Sequence, residues 1–305
     1  MKIKRFHYFG TGAGLPSLRR NVSAMAVDFE SEWFLFDCGE GTQQRIMASP
    51  LKMSRLTHIF ISHFHGDHLY GLPGLLSTMQ LQGIYHDLTI IGPAGIKEYV
   101  EYVYRVSKST FKRVINYVEI NSVDNPMRVF ESSSFSVDAA LMKHRITCYG
   151  FRLKMHDLPG KFNVEKADEL GIPNDSRRSE LVKGNPITLD NNEVIQPEQL
   201  VSAPIENRDF TYITDTAVCD NVVNLAQNSH FLHHECTFME GEEDLAAKSG
   251  HCTISEVIEM AEKAGVKQLQ LAHFSSRYDD YQLPQEFDHL PFSVILTRDR
   301  MQIDC

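Results

Sequence analysis

Three histidines and one aspartate fall within six consecutive residues, directly after an apolar run. The run Ile59-Phe60-Ile61-Ser62 leads into His63-Phe64-His65-Gly66-Asp67-His68. A buried strand that ends in a turn loosened by glycine can aim alternate side chains at two neighbouring metal positions. Imidazole and carboxylate groups are ligands for Zn²⁺, with Mn²⁺ or Fe²⁺ as second choices. One lone histidine would be read as a buried or surface residue, but this spacing indicates a metal centre.

A catalytic metal centre needs more ligands than one turn supplies. Three further candidates each follow a strand-like segment. His144 comes after residues 135–141, Asp215 after residues 210–214, and His273 after residues 269–272. Functional groups collect at the carboxyl ends of strands in α/β folds. We therefore expect all of these side chains to converge in space.

Short β-rich runs alternate with segments of helical spacing along most of the chain. This pattern predicts an α/β fold, and two strand-rich halves favour a two-sheet sandwich with helices outside. Predicted helices cover residues 73–83, 95–106, 218–227 and 254–264. Predicted strands cover residues 3–9, 23–28, 33–37, 56–62, 88–91, 115–120, 127–131, 134–140, 149–155, 210–214 and 268–271.

The segment 156–190 differs from its surroundings in composition. It is polar, and Pro159-Gly160, the run from Gly171 to Asp175, and Gly184-Asn185-Pro186 interrupt it. Such punctuation is typical of loops and irregular segments. We interpret it as a flexible arm inserted into a single domain that spans residues 1–305.

Bulk composition bounds the kinds of partner. The chain has 305 residues, of which 42% are hydrophobic, so it can bury a large core. Its formal net charge of −10 disfavours a surface that grips nucleic acid everywhere, and no DNA partner is expected. Six scattered cysteines suggest no disulfide framework and fit a reducing cytoplasm. We expect no targeting segment and no membrane span, because no apolar run approaches about 18 residues.

The ligand pattern is similar to the signature of the metallo-β-lactamase superfamily, which implies an αββα four-layer sandwich. Further segments resemble the ribonuclease Z family in particular and cover the chain nearly end to end. They are Phe9 to Gly14, Phe36 to Gln43, Gly71-Leu72-Pro73-Gly74, His234-Glu235-Cys236-Thr237 and His273 to Tyr278.

The resemblance implies roles for individual residues. His63, His65 and His144 would hold one zinc ion, Asp67, His68 and His273 would hold a second, and Asp215 would bridge them. Two cations would lower the pKa of a shared water, and Asp67 would accept its proton. His251 would protonate the leaving oxygen, and Glu235 would orient and charge that histidine. A purely structural carboxylate is the alternative for Glu235.

The implied substrate is precursor tRNA, cut at its 3′ end to leave a tRNA 3′-hydroxyl and a trailer with a 5′-phosphate. Arg19, Arg20 and Asn21 lie in a segment that resembles a substrate-sensing loop, although Leu18 stands where the family usually has Lys or Arg. Within the arm, Arg177, Arg178 and Lys183 could contact phosphates, and a solvated loop is the alternative. The resemblance also implies a homodimer.

Two other functions stay open at this point. A phosphodiesterase of the same fold, acting on small or cyclic nucleotides, would share the metals and have no use for the arm. A non-catalytic RNA-binding scaffold on a decayed enzyme fold is disfavoured by the intact set of ligands.

Overall fold

The structure is a computed structural model and describes residues 1–110, 112–121, 123–278 and 290–305. By contacts the chain divides into two compact units. The larger one, the sandwich unit, comprises Lys2–Lys154 and Arg208–Cys305. The smaller one, the inserted unit, comprises Met155–Asn207 together with Met1.

The strands in the described residues are numbered in chain order. They are β1 (Arg5–Gly10), β2 (Ala24–Asp28), β3 (Trp33–Phe36), β4 (Leu56–Phe60), β5 (Leu88–Pro93), β6 (Ile115–Ile120), β7 (Met127–Glu131), β8 (Phe135–Leu141), β9 (Tyr149–Met155), β10 (Ile187–Thr188), β11 (Val194–Ile195), β12 (Phe210–Ile213), β13 (Phe231–Glu235), β14 (Gln268–Ala272), β15 (Ser293–Leu296) and β16 (Gln302–Asp304).

The helices of the same residues are numbered in the same way. They are α1 (Thr42–Met47), α2 (Gly66–Leu69), α3 (Leu72–Leu81), α4 (Ile96–Val106), α5 (Val164–Glu169), α6 (Ser176–Val182), α7 (Asp220–Ala226), α8 (Glu243–Ser249) and α9 (Ile254–Ala264). Within the part of the chain that the structure describes, none of these helices combines the length and apolarity needed to cross a membrane.

Two mixed sheets form the sandwich unit. The first has the strand order β16-β1-β2-β3-β4-β5-β6, and the second has the order β15-β14-β13-β12-β9-β8-β7. Pairing is parallel from β3 to β6 in the first sheet and from β12 to β15 in the second. The carboxyl ends of β4, β12 and β14 therefore belong to parallel regions, where strand ends collect side chains along one edge.

Strand periodicity explains the layers. In β3, Phe34 and Phe36 face the other sheet, where they pack against aromatic rings of β8 and β12 at centroid separations of 4.9 to 5.3 Å. Trp33 and Leu35 point the opposite way, into an apolar cluster shared with α1, α3 and α4. A second cluster lies between the other sheet and helices α7 and α9. This is the predicted αββα sandwich, and the prediction is confirmed.

His58 lies on β4 within the aromatic layer. Its ring centroid is 4.5 Å from that of Phe34, 5.2 Å from Phe135 and 5.5 Å from Phe130. Burial among these rings lowers the pKa of His58 from 6.5 to about 4. The imidazole is therefore neutral at physiological pH, as an apolar neighbourhood requires.

The inserted unit has structure of its own. Helices α5 and α6 and the hairpin β10–β11 surround a small core, in which Ile172, Leu181 and Ile195 are almost completely buried. Asn163 and Asp175 cap the two helices by accepting hydrogen bonds from backbone N–H groups of the first turn. The polar composition of residues 156–190 did not indicate these helices, because their apolar residues are few and widely spaced. The boundaries and flexibility of an arm stay predictions.

Candidate active site

The dense ligand motif occupies six consecutive residues, 63–68, shortly after β4. The strand ends at Phe60, and the chain then turns into the single-turn helix α2, whose first turn contains Asp67. His63 and His68 are fully buried, whereas His65 and Asp67 are partly exposed. The turn thus supplies two buried ligands, His63 and His68, and two ligands that solvent can reach, His65 and Asp67.

Asp215, which follows β12, lies between two groups of these side chains. Its Oδ2 atom is 3.6 Å from Nε2 of His63 and 3.6 Å from Nε2 of His144. Nδ1 of His65 lies 3.0 Å and 3.2 Å from the same two ring nitrogens. Three imidazoles and one carboxylate oxygen therefore converge on one point.

The other carboxylate oxygen of Asp215 faces the second group. Oδ1 is 3.2 Å from Nε2 of His68 and 3.2 Å from Nε2 of His273. Oδ2 of Asp67 lies 3.3 Å and 3.4 Å from those nitrogens. All seven predicted ligand residues are brought together, and Asp215 lies within 3.6 Å of histidines of both groups.

The remaining ring nitrogens show which way the imidazoles are oriented. Each of four histidines has a hydrogen-bond partner on its outer nitrogen, so its inner nitrogen is left for the centre of the cluster. The outer pairs are Nδ1 of His63 with Oγ of Ser62 at 2.9 Å, Nδ1 of His68 with Oδ2 of Asp37 at 2.6 Å, Nδ1 of His144 with the carbonyl oxygen of Gly250 at 2.9 Å, and Nδ1 of His273 with Oγ1 of Thr237 at 2.9 Å.

This arrangement fits divalent cations. Imidazole nitrogens of neighbouring rings approach to 3.0 Å between His63 and His65 and 3.3 Å between His68 and His273. Two ring nitrogens that both carry a lone pair repel each other at this distance, and a cation between them relieves the repulsion. The carboxylates are ionised, since burial, which raises their pKa values, is outweighed by the surrounding histidines and the pKa values of Asp67 and Asp215 are lowered. A borderline N/O ligand set of this kind suits Zn²⁺ best, and Mn²⁺ or Fe²⁺ less well.

Asp37 organises the cluster from beneath. This buried carboxylate follows β3 with a left-handed backbone at φ 53°. Oδ1 accepts the backbone N–H of Ser62 at 2.7 Å. Oδ2 accepts the Nδ1–H of His68, the hydroxyl of Ser62 at 2.8 Å and the hydroxyl of Tyr212 at 2.8 Å. The sequence motif around Asp37 was noted above without a role for this residue.

His251 and Glu235 form a separate pair beside the cluster. Nδ1 of His251 donates to Oε1 of Glu235 at 2.9 Å, and Nε2 of His251 lies 4.0 Å from Oδ2 of Asp215. Burial lowers the pKa of His251, but the charge and hydrogen bond of Glu235 outweigh it and raise the pKa overall. Glu235 also accepts a hydrogen bond from the hydroxyl of Thr237 at 2.7 Å. Oγ1 of Thr237 is then free to accept a hydrogen bond from Nδ1 of His273. Glu235 thus favours the protonated form of His251, whose Nε2 faces Oδ2 of Asp215.

A backbone donor reaches the cluster from the amino-terminal loop. The N–H of Gly14 donates to Oδ2 of Asp67 at 2.8 Å, with the glycine at φ 71°. Asp299 holds this loop in place, because it accepts the backbone N–H of Thr11 at 3.0 Å and that of Asn21 at 2.7 Å. Neither Gly14 nor Asp299 carried a sequence signal for this role.

The predicted RNA-contacting residues of this loop are in different environments. Arg20 is buried, with its guanidinium 4.6 Å above the ring of Phe274 and donating to the carbonyl oxygen of Thr297 at 2.9 Å. The side chain of Asn21 donates to the carbonyl oxygen of Glu40 at 2.8 Å. Arg19 is exposed. Contact of Arg19 with a substrate stays a prediction.

The basic residues of the inserted unit are engaged with neighbouring carboxylates. Arg177 pairs with Asp175 at 2.8 Å, Arg178 pairs with Asp168, and Lys183 pairs with Glu180 at 2.8 Å. Exposed pairs such as that of Lys183 contribute only about 0–1 kcal/mol. The side chain of Arg178 is 13% exposed and also donates to the carbonyl oxygens of Ile172 and Pro173. Contact of these side chains with RNA stays a prediction.

A protein-family model and several relatives match this chain in sequence. Residues 4–158 match the family model described as Anti-Pycsar protein Apyc1. Ribonuclease Z of Picosynechococcus is 40% identical over 273 residues, which cover 89% of this chain and 85% of that protein. Ribonuclease Z of Listeria monocytogenes is 40% identical over 278 residues, which cover 89% of each.

Solved structures give the same picture. The short form of human tRNase Z superposes with a TM-score of 0.71 at 28% identity and covers 98% of both chains. The metallo-β-lactamase-fold protein YhfI of Bacillus subtilis has a TM-score of 0.66 at 17% identity over the full length of both chains, which supports the fold alone.

Proposed function

Because the chain belongs to the ribonuclease Z family, and its residues 4–158 to the family of the Apyc1 model, we propose that it is a metal-dependent endoribonuclease that processes the 3′ end of precursor tRNA. Cleavage would leave a 3′-hydroxyl on the tRNA and a 5′-phosphate on the trailer. A proton donor that serves the ribose 3′ oxygen would give these products.

The observation that carries the proposal is the position of Asp215. One oxygen of its carboxylate faces His63 and His144, and the other faces His68 and His273, all at 3.2 to 3.6 Å. A single carboxylate shared in this way supports two adjacent cations rather than one. We assign two Zn²⁺ per chain, with Mn²⁺ or Fe²⁺ as less favoured occupants.

His63, His65 and His144 would hold one cation, Asp67, His68 and His273 the other, and Asp215 both. When bound, the pair supplies Lewis acidity toward a phosphodiester and lowers the pKa of a water. A single cation site would serve a phosphodiester less well, because charge develops on both the attacking and the leaving oxygen.

Side chains of the protein would manage the protons. Asp67 would accept the proton of the attacking water, and the N–H of Gly14 holds Oδ2 of this carboxylate in position. Nε2 of His251 donates a proton to the departing ribose 3′ oxygen, which would otherwise leave as a poor alkoxide. Glu235 keeps His251 protonated and oriented through the hydrogen bond to Nδ1.

Substrate selection would involve the loop that carries Arg19 and the basic residues of the inserted unit. Arg177, Arg178 and Lys183 could exchange their carboxylate partners for RNA phosphates. We further propose a homodimer, in which the inserted unit of one subunit serves the other, and a cytoplasmic location. The cysteines of the described residues are all free, which suits a reducing compartment.

The direct test uses a precursor tRNA transcript, with and without an encoded CCA, and sequences both products. The metal-loaded protein should cut once at the 3′ end. Asp67→Ala should abolish cleavage, and His251→Ala should lower turnover at least about 100-fold while RNA binding is retained. His230→Ala is the matched control, since His230 pairs with Asp209 at 2.8 Å outside the cluster. Full cleavage by Asp67→Ala would contradict the proposal.

A second candidate is a phosphodiesterase of the same fold that acts on small or cyclic nucleotides. It would use the same ligand cluster, and residues 4–158, which match the Apyc1 family model, contain five of the seven ligand positions. Hydrolysis of 3′,5′-cyclic nucleotides should be measured beside RNA cleavage at equal enzyme concentration. Cyclic nucleotide hydrolysis without RNA cleavage would select this candidate.

A further inference from the structure

Arg145 directly follows the ligand residue His144 and is fixed beside the ligand cluster. Nδ1 of His144 pairs with the carbonyl oxygen of Gly250 at 2.9 Å. Nε of Arg145 donates to the carbonyl oxygen of Ser249 at 3.0 Å. Two consecutive side chains are therefore held on two consecutive residues of the segment that leads into His251. The backbone of this segment keeps the guanidinium of Arg145 next to the proposed proton donor.

The charge of Arg145 acts on two rings of the site. Burial is the largest influence on the pKa of His65 and of His251, and the positive charge of Arg145 is a smaller influence that lowers both pKa values. The guanidinium therefore lies near the cluster on the side that these two rings share. Within the described residues it forms no ion pair with Asp67 or Asp215, so it stands outside the set of metal ligands.

The forked end of the Arg145 guanidinium is unoccupied. In the part of the chain that the structure describes, Nε has a hydrogen-bond partner and the two terminal amino groups have none. Arg277, another exposed arginine, differs in this respect because its guanidinium pairs with Glu242 at 2.9 Å. A guanidinium that is anchored at one nitrogen and exposed at its fork matches a phosphate group, which can accept two parallel N–H bonds.

We propose that Arg145 binds a phosphate of the RNA strand that flanks the scissile one. The inference deepens the proposed function and rests on it. The metal ligands and their cations would hold the scissile phosphate, and Arg145 lies outside these ligands, so its fork meets a neighbouring phosphate. Arg145 is then a specificity-determining residue, because an isolated phosphodiester offers no second phosphate to bind.

The first experiment compares precursor RNA with bis(p-nitrophenyl) phosphate, which contains a single phosphodiester. Arg145→Gln should lower kcat/KM for precursor RNA about 10–100-fold, mainly through KM, which is the factor that one charge-assisted hydrogen bond supplies. The loss on the small phosphodiester should be less than about threefold. The slope of log kcat/KM against log salt for precursor RNA should become shallower by about 0.7–0.9, because one phosphate fewer is neutralised.

The second experiment identifies the phosphate. Two precursor RNAs carry one neutral methylphosphonate link on a 2′-O-methyl nucleotide, either directly before or directly after the scissile phosphate. Each is compared with the RNA that has the 2′-O-methyl group alone. At the phosphate that Arg145 binds, the neutral link should lower kcat/KM of the unaltered protein about 10–100-fold and cause almost no further loss in Arg145→Gln. At the other phosphate, the two losses should be additive.

Lys143→Gln is the matched control. Lys143 is exposed on the other side of His144 in the chain, and the variant loses the same charge as Arg145→Gln. Its kcat/KM for precursor RNA should fall by less than about threefold. Arg145→Lys keeps the charge without the fork, so it should keep the salt slope and lose less than Arg145→Gln. Metal content and thermal midpoint of all three variants should match those of the unaltered protein.

The outcomes separate the two proposals. Absence of any cleavage of precursor RNA by the metal-loaded protein would overturn the proposed function and the assignment of Arg145 together. If precursor RNA is cleaved, equal losses on RNA and on the small phosphodiester would overturn the assignment of Arg145 alone, because the residue would then act on the scissile phosphate. Equal effects of Arg145→Gln and Lys143→Gln, additive losses at both neutral links, or a lower metal content in Arg145→Gln would also overturn that assignment.

Discussion

Replacement of Asp37 by asparagine tests how the buried layer beneath the cluster controls metal binding. Oδ1 of Asp37 accepts a backbone N–H from Ser62, so the oxygen of the new amide must stay at that position. The NH₂ group then takes the place of Oδ2, where it faces Nδ1 of His68. A neutral imidazole carries one proton, and an amide donor at Nδ1 forces that proton onto Nε2, the atom that should bind metal.

The magnitude follows from this conflict. Keeping the metal-binding tautomer in Asp37→Asn sets two N–H groups against each other and loses a hydrogen bond to a charged group, about 1.5–3 kcal/mol. That energy corresponds to roughly 10–100-fold weaker metal binding, the range known for residues that orient metal ligands. Tyr212→Phe is the matched control, because it removes one donor to Asp37 and leaves the carboxylate in place. Its metal affinity should change by less than about threefold.

The assay is competition with a chromophoric chelator for Zn²⁺, supported by the visible absorption of the Co²⁺-loaded protein. Asp37→Asn should release metal at lower chelator concentration and shift the Co²⁺ spectrum, while its circular dichroism stays unchanged. Equal metal affinity in Asp37→Asn and the unaltered protein would refute the proposed orientation of His68. A loss of folded structure in Asp37→Asn but not in Asp37→Ala would also contradict it.

Other predictions address stability and the loop. The pKa of His58 is about 4 in the folded protein and 6.5 in the unfolded chain, so the unfolded chain binds more protons between these pH values. The free energy of unfolding should therefore be highest above about pH 6.5 and should fall by about 2 kcal/mol on acidification to about pH 5. Urea titrations of His58→Gln should lack this part of the pH dependence. Gly39→Ala places a Cβ 2.3 Å from the carbonyl oxygen of Asp67. This clash should lower the free energy of unfolding by at least about 1–3 kcal/mol, measured by calorimetry, and weaken metal binding, measured by chelator competition. Arg20→Ala should lower the free energy of unfolding by about 1–3 kcal/mol and so lower the thermal midpoint. Arg19→Ala should leave the midpoint unchanged and weaken RNA binding in a gel-shift titration.

The proximity of the seven side chains of the cluster could be predicted from sequence because it depends on local signals. An apolar strand followed by His63 to His68 is visible directly, and the positions of His144, Asp215 and His273 follow from strand ends. The rule that parallel strand ends share an edge accounts for Asp215 and His273, whereas His144 follows β8, which pairs with β7 in the antiparallel part of the second sheet.

Features that depend on distant packing could not be predicted in this way. Strand β13 contains His233, His234 and Glu235, and because both of its faces are buried it shows no alternation of apolar and polar residues. Arg20 stood out as a charged loop residue, but its burial depends on Phe274, more than 250 positions away in the chain. The roles of Asp37 and Gly14 likewise become visible only when both sheets are in place.

Each group of ligands draws on both sheets, since His63 to His68 follow the first sheet and Asp215 and His273 follow the second. Bound cations would consequently act as crosslinks between stretches of chain that are synthesised far apart in time. In a cell deprived of divalent metal, newly made protein would fold its aromatic layer, but the loops that carry the metal ligands would be less stable. Such molecules would be the first that proteases remove, so that metal supply would set the abundance of the enzyme as well as its turnover.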